Sequence, residues 1–149
     1  MGHLSVFANV EVLVAVDIVA SSGVFDSAAE QAVCRGVFDA LLVAVDAVDD
    51  ERIASTIGVV LHVVPAERVM MGGRVASSVR IDVVVPGIAL ASFRRRRRFI
   101  ADATAAVVAH ATDPSIAERV VVRILHAVDG GWGIGGQAFT NDFLDEGPE

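Results

Sequence analysis

The sequence predicts an α+β fold: two fused β-α-β units forming a four-stranded sheet with two helices on one face. Leu61-His62 and Leu125-His126 end two valine-rich stretches 64 residues apart, and Gly72-Gly73 and Gly135-Gly136 follow them 63 residues apart. Self-similarity at such a period defines the architecture before any single element does, and two copies are too few for a solenoid. Each copy also reads strand, helix, strand in its hydrophobic spacing. A crossover of that kind is right-handed and sets its two strands parallel. A chain of 149 residues is one domain's worth, here with pseudo-repeats over 3–75 and 77–138 and a polar C-terminal tail.

In chain order, Leu4 to Val19 is strand-like, with β-branched Val6, Val10, Val12 and Val14. Ser21-Ser22-Gly23 is a turn. Ser27 and Glu30 have capping-box spacing, so a helix is predicted from Ser27. Val33, Val37, Leu41, Val45 and Val48 are its apolar stripe, and Asp49-Asp50 its end. Ile57 to Val64 is the second strand, and Pro65 to Gly73 a loop. Val79 to Val85 opens the second copy as a strand, ended by Pro86-Gly87. Ser92 caps a helix whose core residues are Phe99, Ala103 and Val107. Thr112-Asp113-Pro114 stops it, because proline disfavours helix at the preceding residue. Val120 to Leu125 is the last strand of the repeat, and Phe139 to Glu149 forms the tail.

Composition narrows the function. The chain is 54% hydrophobic, and its mean hydropathy is +0.59. No run approaches the roughly 20 apolar residues that span a bilayer, since Glu11, Asp17, Asp26, His62 and Asp82 interrupt them. One face of the sheet is left without helices, and burial against further copies is the expected fate of its valines. The N-terminus lacks a basic region ahead of an apolar segment, so cytoplasmic residence is expected. Cys34 is the lone cysteine and falls on the apolar side of the first helix, where an inert, buried thiol is expected. There is no lysine and no tyrosine; all twelve basic residues are arginine, which stays protonated at any working pH. The amine left for proton transfer is the α-amino group, with a reference pKa of about 7.7–8.0.

The segment Asp129-Gly-Gly-Trp-Gly-Ile-Gly-Gly-Gln137, after a Val/Ile strand, resembles the closing loop of the tautomerase superfamily. The units before it resemble 4-oxalocrotonate tautomerase-like units. Val64 to Gly73 is similar to the mid-chain loop of double-length members such as the cis-3-chloroacrylic acid dehalogenases. The resemblance implies a homotrimer of fused units and proton transfer by an amino-terminal proline freed from Met1. Here Gly2 stands in that place, so its primary amine is the implied proton shuttle. Arginines hold the substrate carboxylate in the family. Val121 falls at the family's strand arginine, with Arg119 and Arg123 two residues either side as substitutes. Ile88 and Ala91 stand where the dehalogenases carry a pair of carboxylate-binding arginines, which disfavours dehalogenation. Trp132 matches the aromatic that walls the site.

Arg94 to Arg98 open the second helix, and five consecutive positions circle it completely. At least one guanidinium must therefore face inward. Arg94 and Arg95 are candidates for a substrate carboxylate, and acidic side chains are the alternative partners for the run. With a net charge of −7 and no aromatics interleaved, nucleic acid is not expected. Gly131 to Gly136 satisfies a dinucleotide pattern, but only 13 residues follow, too few for the helix and strands that such a site needs. His62 and His126 occupy matching places without a third ligand, so no metal or other cofactor is expected. Nothing resembles a nucleophile elbow. Two readings of function stand: a tautomerase-like isomerase acting on a small 2-oxo or enol carboxylic acid through the Gly2 amine, or a catalytically lapsed relative that is structural or binds a small ligand.

Overall fold

The structure, a computed structural model, describes residues 14–140. The first strand, β1 (Val14–Ser21), runs into the helix α1 (Ser27–Ala44) and then β2 (Ile57–Val64). The second copy repeats this as β5 (Val79–Pro86), α2 (Phe93–His110) and β6 (Val120–Ala127). Between and after them lie two small hairpins, β3 (Met70–Met71) with β4 (Arg74–Val75) and β7 (Trp132–Ile134) with β8 (Gln137–Phe139). The main sheet has the order β2-β1-β5-β6. β1 and β2 are parallel, as are β5 and β6, while β1 and β5 meet antiparallel at the centre. The α+β architecture of two β-α-β units is therefore the observed one.

Strand alternation sorts the sheet into two faces. Val16, Ile18, Val79, Ile81 and Val83 are at most 1% exposed and join Val33, Val37, Leu41, Phe99, Ala103 and Val107 from the helices in one core. The helices approach closely where Gly36 faces Ala106: a Cβ there would lie 3.0 Å from the Ala106 Cβ. Among the described residues no helix covers the opposite sheet face. That face presents Val60, Val84, Val121 and Leu125, each more than 40% exposed, together with Asp17, Arg80, Asp82 and Arg123.

The helix ends differ from the sequence expectation. Asp26, not Ser27, is the N-cap of α1, its carboxylate accepting from the Ala29 amide at 2.9 Å. Asp26 is extended at φ −78° and ψ 169°, the geometry that turns a cap side chain back over the first turn. The helix closes at Ala44 rather than at Asp49-Asp50. Asp46 adopts φ 58°, its amide donates to the Val43 carbonyl, and the Ala47 amide donates to the Leu42 carbonyl. These are the two bonds of a Schellman motif, with aspartate where glycine is usual. Val48 lies past that stop and is 61% exposed, so it is not part of the stripe. Asp50 instead caps a single helical turn, Glu51–Ala54. Ser92, as expected, caps α2 by accepting from the Arg95 amide at 3.1 Å.

The Gly-rich loops are hairpins, not open loops. Gly72-Gly73 and Gly135-Gly136 all have positive φ, between 60° and 85°, the two-residue turn whose twist matches paired strands. The histidines are not equivalent. Val14 pairs with Ile57 and Val79 with Val120, so β2 and β6 correspond with the 63-residue offset of the glycines, not the 64 of the Leu-His pairs. A shift of one residue reverses the face. His62 therefore lies on the open face against Asp17 (2.9 Å), and His126 contacts the Ala89 carbonyl (2.9 Å).

Candidate active site

A large concavity lies where β1 begins and β5 ends. It encloses about 460 Å3, within the range of small-molecule sites. Val14, Leu41, Val45, Ala47, Ile53 and Ile57 from the first copy form one wall, and the segment Val85–Ser92 of the second forms the other. Ile88 and Ala91, which stand where arginines were implied by resemblance, both line it. Among the described residues, the one charged side chain on its wall is Arg95. The hydroxyls there are engaged: Thr56 Oγ1 donates to the Ile53 carbonyl at 2.6 Å, and Ser92 Oγ accepts the Arg95 amide.

Local backbone geometry supports this wall. Leu90 has φ 52° yet its side chain is 1% exposed. A bulky residue in the left-handed region carries strain of about 1–2 kcal/mol, and persists only where its surroundings over-determine it. Those surroundings include Arg96, whose Nη1 donates to the Leu90 carbonyl at 3.0 Å and the Ala91 carbonyl at 2.7 Å. Neither the strain nor the clamp has a signature in the sequence.

The arginine run resolves into distinct roles. Arg94 is exposed and is not on the cavity wall. Arg95 Nη1 lies 3.4 Å from the carbonyl of Ala44, the last residue of α1. Positive charge at the start of α2 thus meets the negative end of α1. Carbonyl groups, rather than the acidic partners expected, hold Arg95 and Arg96; only Arg98 pairs with a carboxylate among those described, Asp102 at 3.5 Å.

The other site candidates lie elsewhere within the chain. Arg119 ends a 3-10 turn (Pro114–Arg119), and its Nε donates to the Ser77 carbonyl at 2.8 Å. It lines a concavity of about 90 Å3 at the start of β5 and end of β1, the pseudo-symmetric counterpart of the large one. Arg123 is on the open sheet face, bound to both oxygens of Asp82 at 2.6 and 2.8 Å. That contact holds the Asp82 carboxyl below the usual carboxylate range, helped by Arg80 Nε at 3.0 Å. Trp132, half-buried, stands on the β7–β8 hairpin and does not line the cavity of its own chain. Gly2 lies outside the described residues. Cys34 is half-buried, and burial, with Glu30 nearby, pushes its thiol pKa up, against reactivity. Among the described residues no cluster of three or more metal-ligating side chains occurs, and no helix is long and apolar enough to cross a membrane.

No family model matches the chain, and no curated protein matches it in sequence. Solved structures do match in shape. A fused 4-OT, a symmetric trimer named Q0, superposes with a TM-score of 0.70 at 18% identity, covering 83% of this chain and 93% of that one. Pt0534, inactivated by 2-oxo-3-pentynoate, gives 0.72 at 18% identity, over 87% of this chain and 98% of that one. FG41 malonate semialdehyde decarboxylase, inhibited by 3-bromopropiolate, gives 0.62 at 16% identity, over 88% and 95%. The shared order of strands and helices, the antiparallel join of two β-α-β units and the span of the match agree: this chain has the tautomerase fold in its fused, double-length form.

Proposed function

We propose that the chain is a tautomerase-like isomerase that moves a proton between oxygen and carbon of a small 2-oxo or enol carboxylic acid, with the large cavity as its substrate site. The observation that carries this reading is an apolar cavity of about 460 Å3 with Arg95 as its one charged wall residue among those described. A guanidinium in such surroundings binds a carboxylate more strongly than it would in water. Among the described residues the wall side chains provide no carboxylate, imidazole or thiol, and arginine does not deprotonate. In a chain without lysine the α-amino group is the amine available, so Gly2, exposed by removal of Met1, is the proposed shuttle. As a neutral amine it takes the proton from the enol oxygen, and as an ammonium it returns one to carbon. The amine is regenerated and the substrate is isomerised without net gain or loss of atoms.

Assembly belongs to the same reading. Val60, Val84, Val121 and Leu125 on the helix-free face, and two hairpins whose strands pair only with each other within the chain, favour a homotrimer. The trimeric state of the fused 4-OT structure supports it. In that assembly Trp132 is proposed to close the cavity of a neighbouring copy and exclude water. Arg119 and Arg123, committed within their own chain, are assigned no part in this site.

The same lack, among the described residues, of a wall side chain able to take up a proton favours a second reading, a relative that binds a small ligand without converting it. Ketonisation of the enol form of phenylpyruvate, by protein shown by mass to begin at Gly2, separates the two. Isomerase activity predicts acceleration over the uncatalysed rate, and at least about a hundredfold loss on N-acetylation. Unchanged turnover after acetylation would remove the amine mechanism. A ligand that raises the melting temperature and is recovered unconverted would establish the binding reading.

A further inference from the structure

We propose that the large cavity selects monocarboxylates with an apolar body and excludes dicarboxylates, one molecule per chain. The inference deepens the reading of this cavity as the ligand site. Its cationic group is at one edge: Arg95 sits on the first turn of α2, beside Ala44 at the end of α1. Among the described residues, those opposite are hydrocarbon, chiefly Val14, Ile53, Ile57, Val85 and Leu90. Thr56 has its hydroxyl proton committed to the Ile53 carbonyl, and Ser92, whose oxygen accepts the Arg95 amide, stands at the Arg95 edge three residues earlier in the chain, not opposite it. One carboxylate can meet Arg95 while an aryl or branched alkyl body fills the remainder. A second carboxylate at the far end of that body would be driven against apolar side chains with no partner among the described residues, which is strongly unfavourable.

Stoichiometry rests on a separate observation. Duplication supplies a counterpart at the start of β5, but that concavity is only about 90 Å3. Arg119 spans it to the Ser77 carbonyl at 2.8 Å, and Thr112 Oγ1 donates to the Gly23 carbonyl at 2.9 Å. The second copy's counterpart is thus narrowed by its own side chains and too small for a ligand of that size.

Isothermal titration of the full-length protein with 4-phenylbutanoate, 4-phenylbutanamide and hexanedioate tests the proposal. The expected result is one 4-phenylbutanoate per chain. The amide should bind at least about tenfold more weakly, as loss of a charge-assisted hydrogen bond predicts, and hexanedioate more weakly still. Arg95→Gln should bring the carboxylate down to the affinity of the amide and leave the amide unchanged, a pattern that general loosening of the fold does not produce. Ile88→Glu, at a position 45% exposed on the wall, should repel the carboxylate while sparing the core. Equal affinity for carboxylate and amide, hexanedioate binding as tightly as 4-phenylbutanoate, absence of 4-phenylbutanoate binding, or two molecules per chain would each overturn it. Binding as expected without enol turnover upholds the ligand class and defeats the isomerase. Preferential turnover of a dicarboxylic enol does the reverse.

Discussion

Asp17 and Asp82 stand directly opposite each other across the central strand pair, and each is the fourth residue of its strand. The internal two-fold relation of the copies therefore passes between two like charges, which is destabilising unless each has a partner. The copies answer differently: Asp17 has His62 at 2.9 Å, and Asp82 has Arg123 on both oxygens and Arg80 on one. Because the folded Asp82 pKa is lowered, its contribution to stability is fully present above the unfolded value, about 3.9, and is lost as pH falls through the folded value. Urea denaturation from pH 7 to pH 2 should show this loss, and Arg123→Ala, by bringing the folded value back toward the unfolded one, should make it smaller. A loss of unchanged size would mean that Arg123 does not govern the titration. This arrangement was only partly legible in the sequence. Period-two spacing places Arg123 on the face of Val121, but its partner is set by strand pairing between residues 41 apart.

At the scale of elements, helix ends carry two further predictions. Ser92→Ala removes the oxygen that accepts the Arg95 amide and should destabilise the protein by about 1 kcal/mol in chemical denaturation. Asp46→Gly relieves a left-handed aspartate in the Schellman turn and should stabilise by up to about 1 kcal/mol, since the strain of an L-residue there exceeds the entropic penalty of glycine. Arg96→Ala should free the Leu90–Ala91 wall, costing about 1–3 kcal/mol and weakening 4-phenylbutanoate binding together. Calorimetry and titration of the same variant read both effects. The main strands and α2 were legible because apolar period and cap chemistry coincide at Ser92 and Phe99. The end of α1 was not, because an aspartate rather than a glycine marks it. The paired glycines were a turn signal, and their hairpins follow from the same chemistry once two short strands flank them. The partners of Arg95 and Arg96 are main-chain carbonyls, which any residue type supplies and no letter of the sequence reveals.

For the whole molecule, the open sheet face predicts association. Sedimentation equilibrium should give three times the chain mass, and Leu125→Glu, at a position 48% exposed and facing away from the helices, should shift the protein toward monomer while leaving its helix content unchanged. A monomeric parent protein would contradict the proposed assembly. The copy-to-copy architecture itself was readable from the spacing of the Gly-Gly pairs. The Leu-His pairs, one residue out of step, suggested an equivalence that the strand register denies.

The cavity draws one wall from β1 and α1 and the other from the segment joining β5 to α2. Neither copy encloses it alone, so fusion fixes the two walls in a ratio of one to one and in a single orientation. Chain produced as separate halves would have to find each other across the β1–β5 seam before any pocket existed. Ligand binding would then become second order in protein, rising with the product of the two concentrations, whereas the joined polypeptide has its pocket at any dilution that leaves it folded.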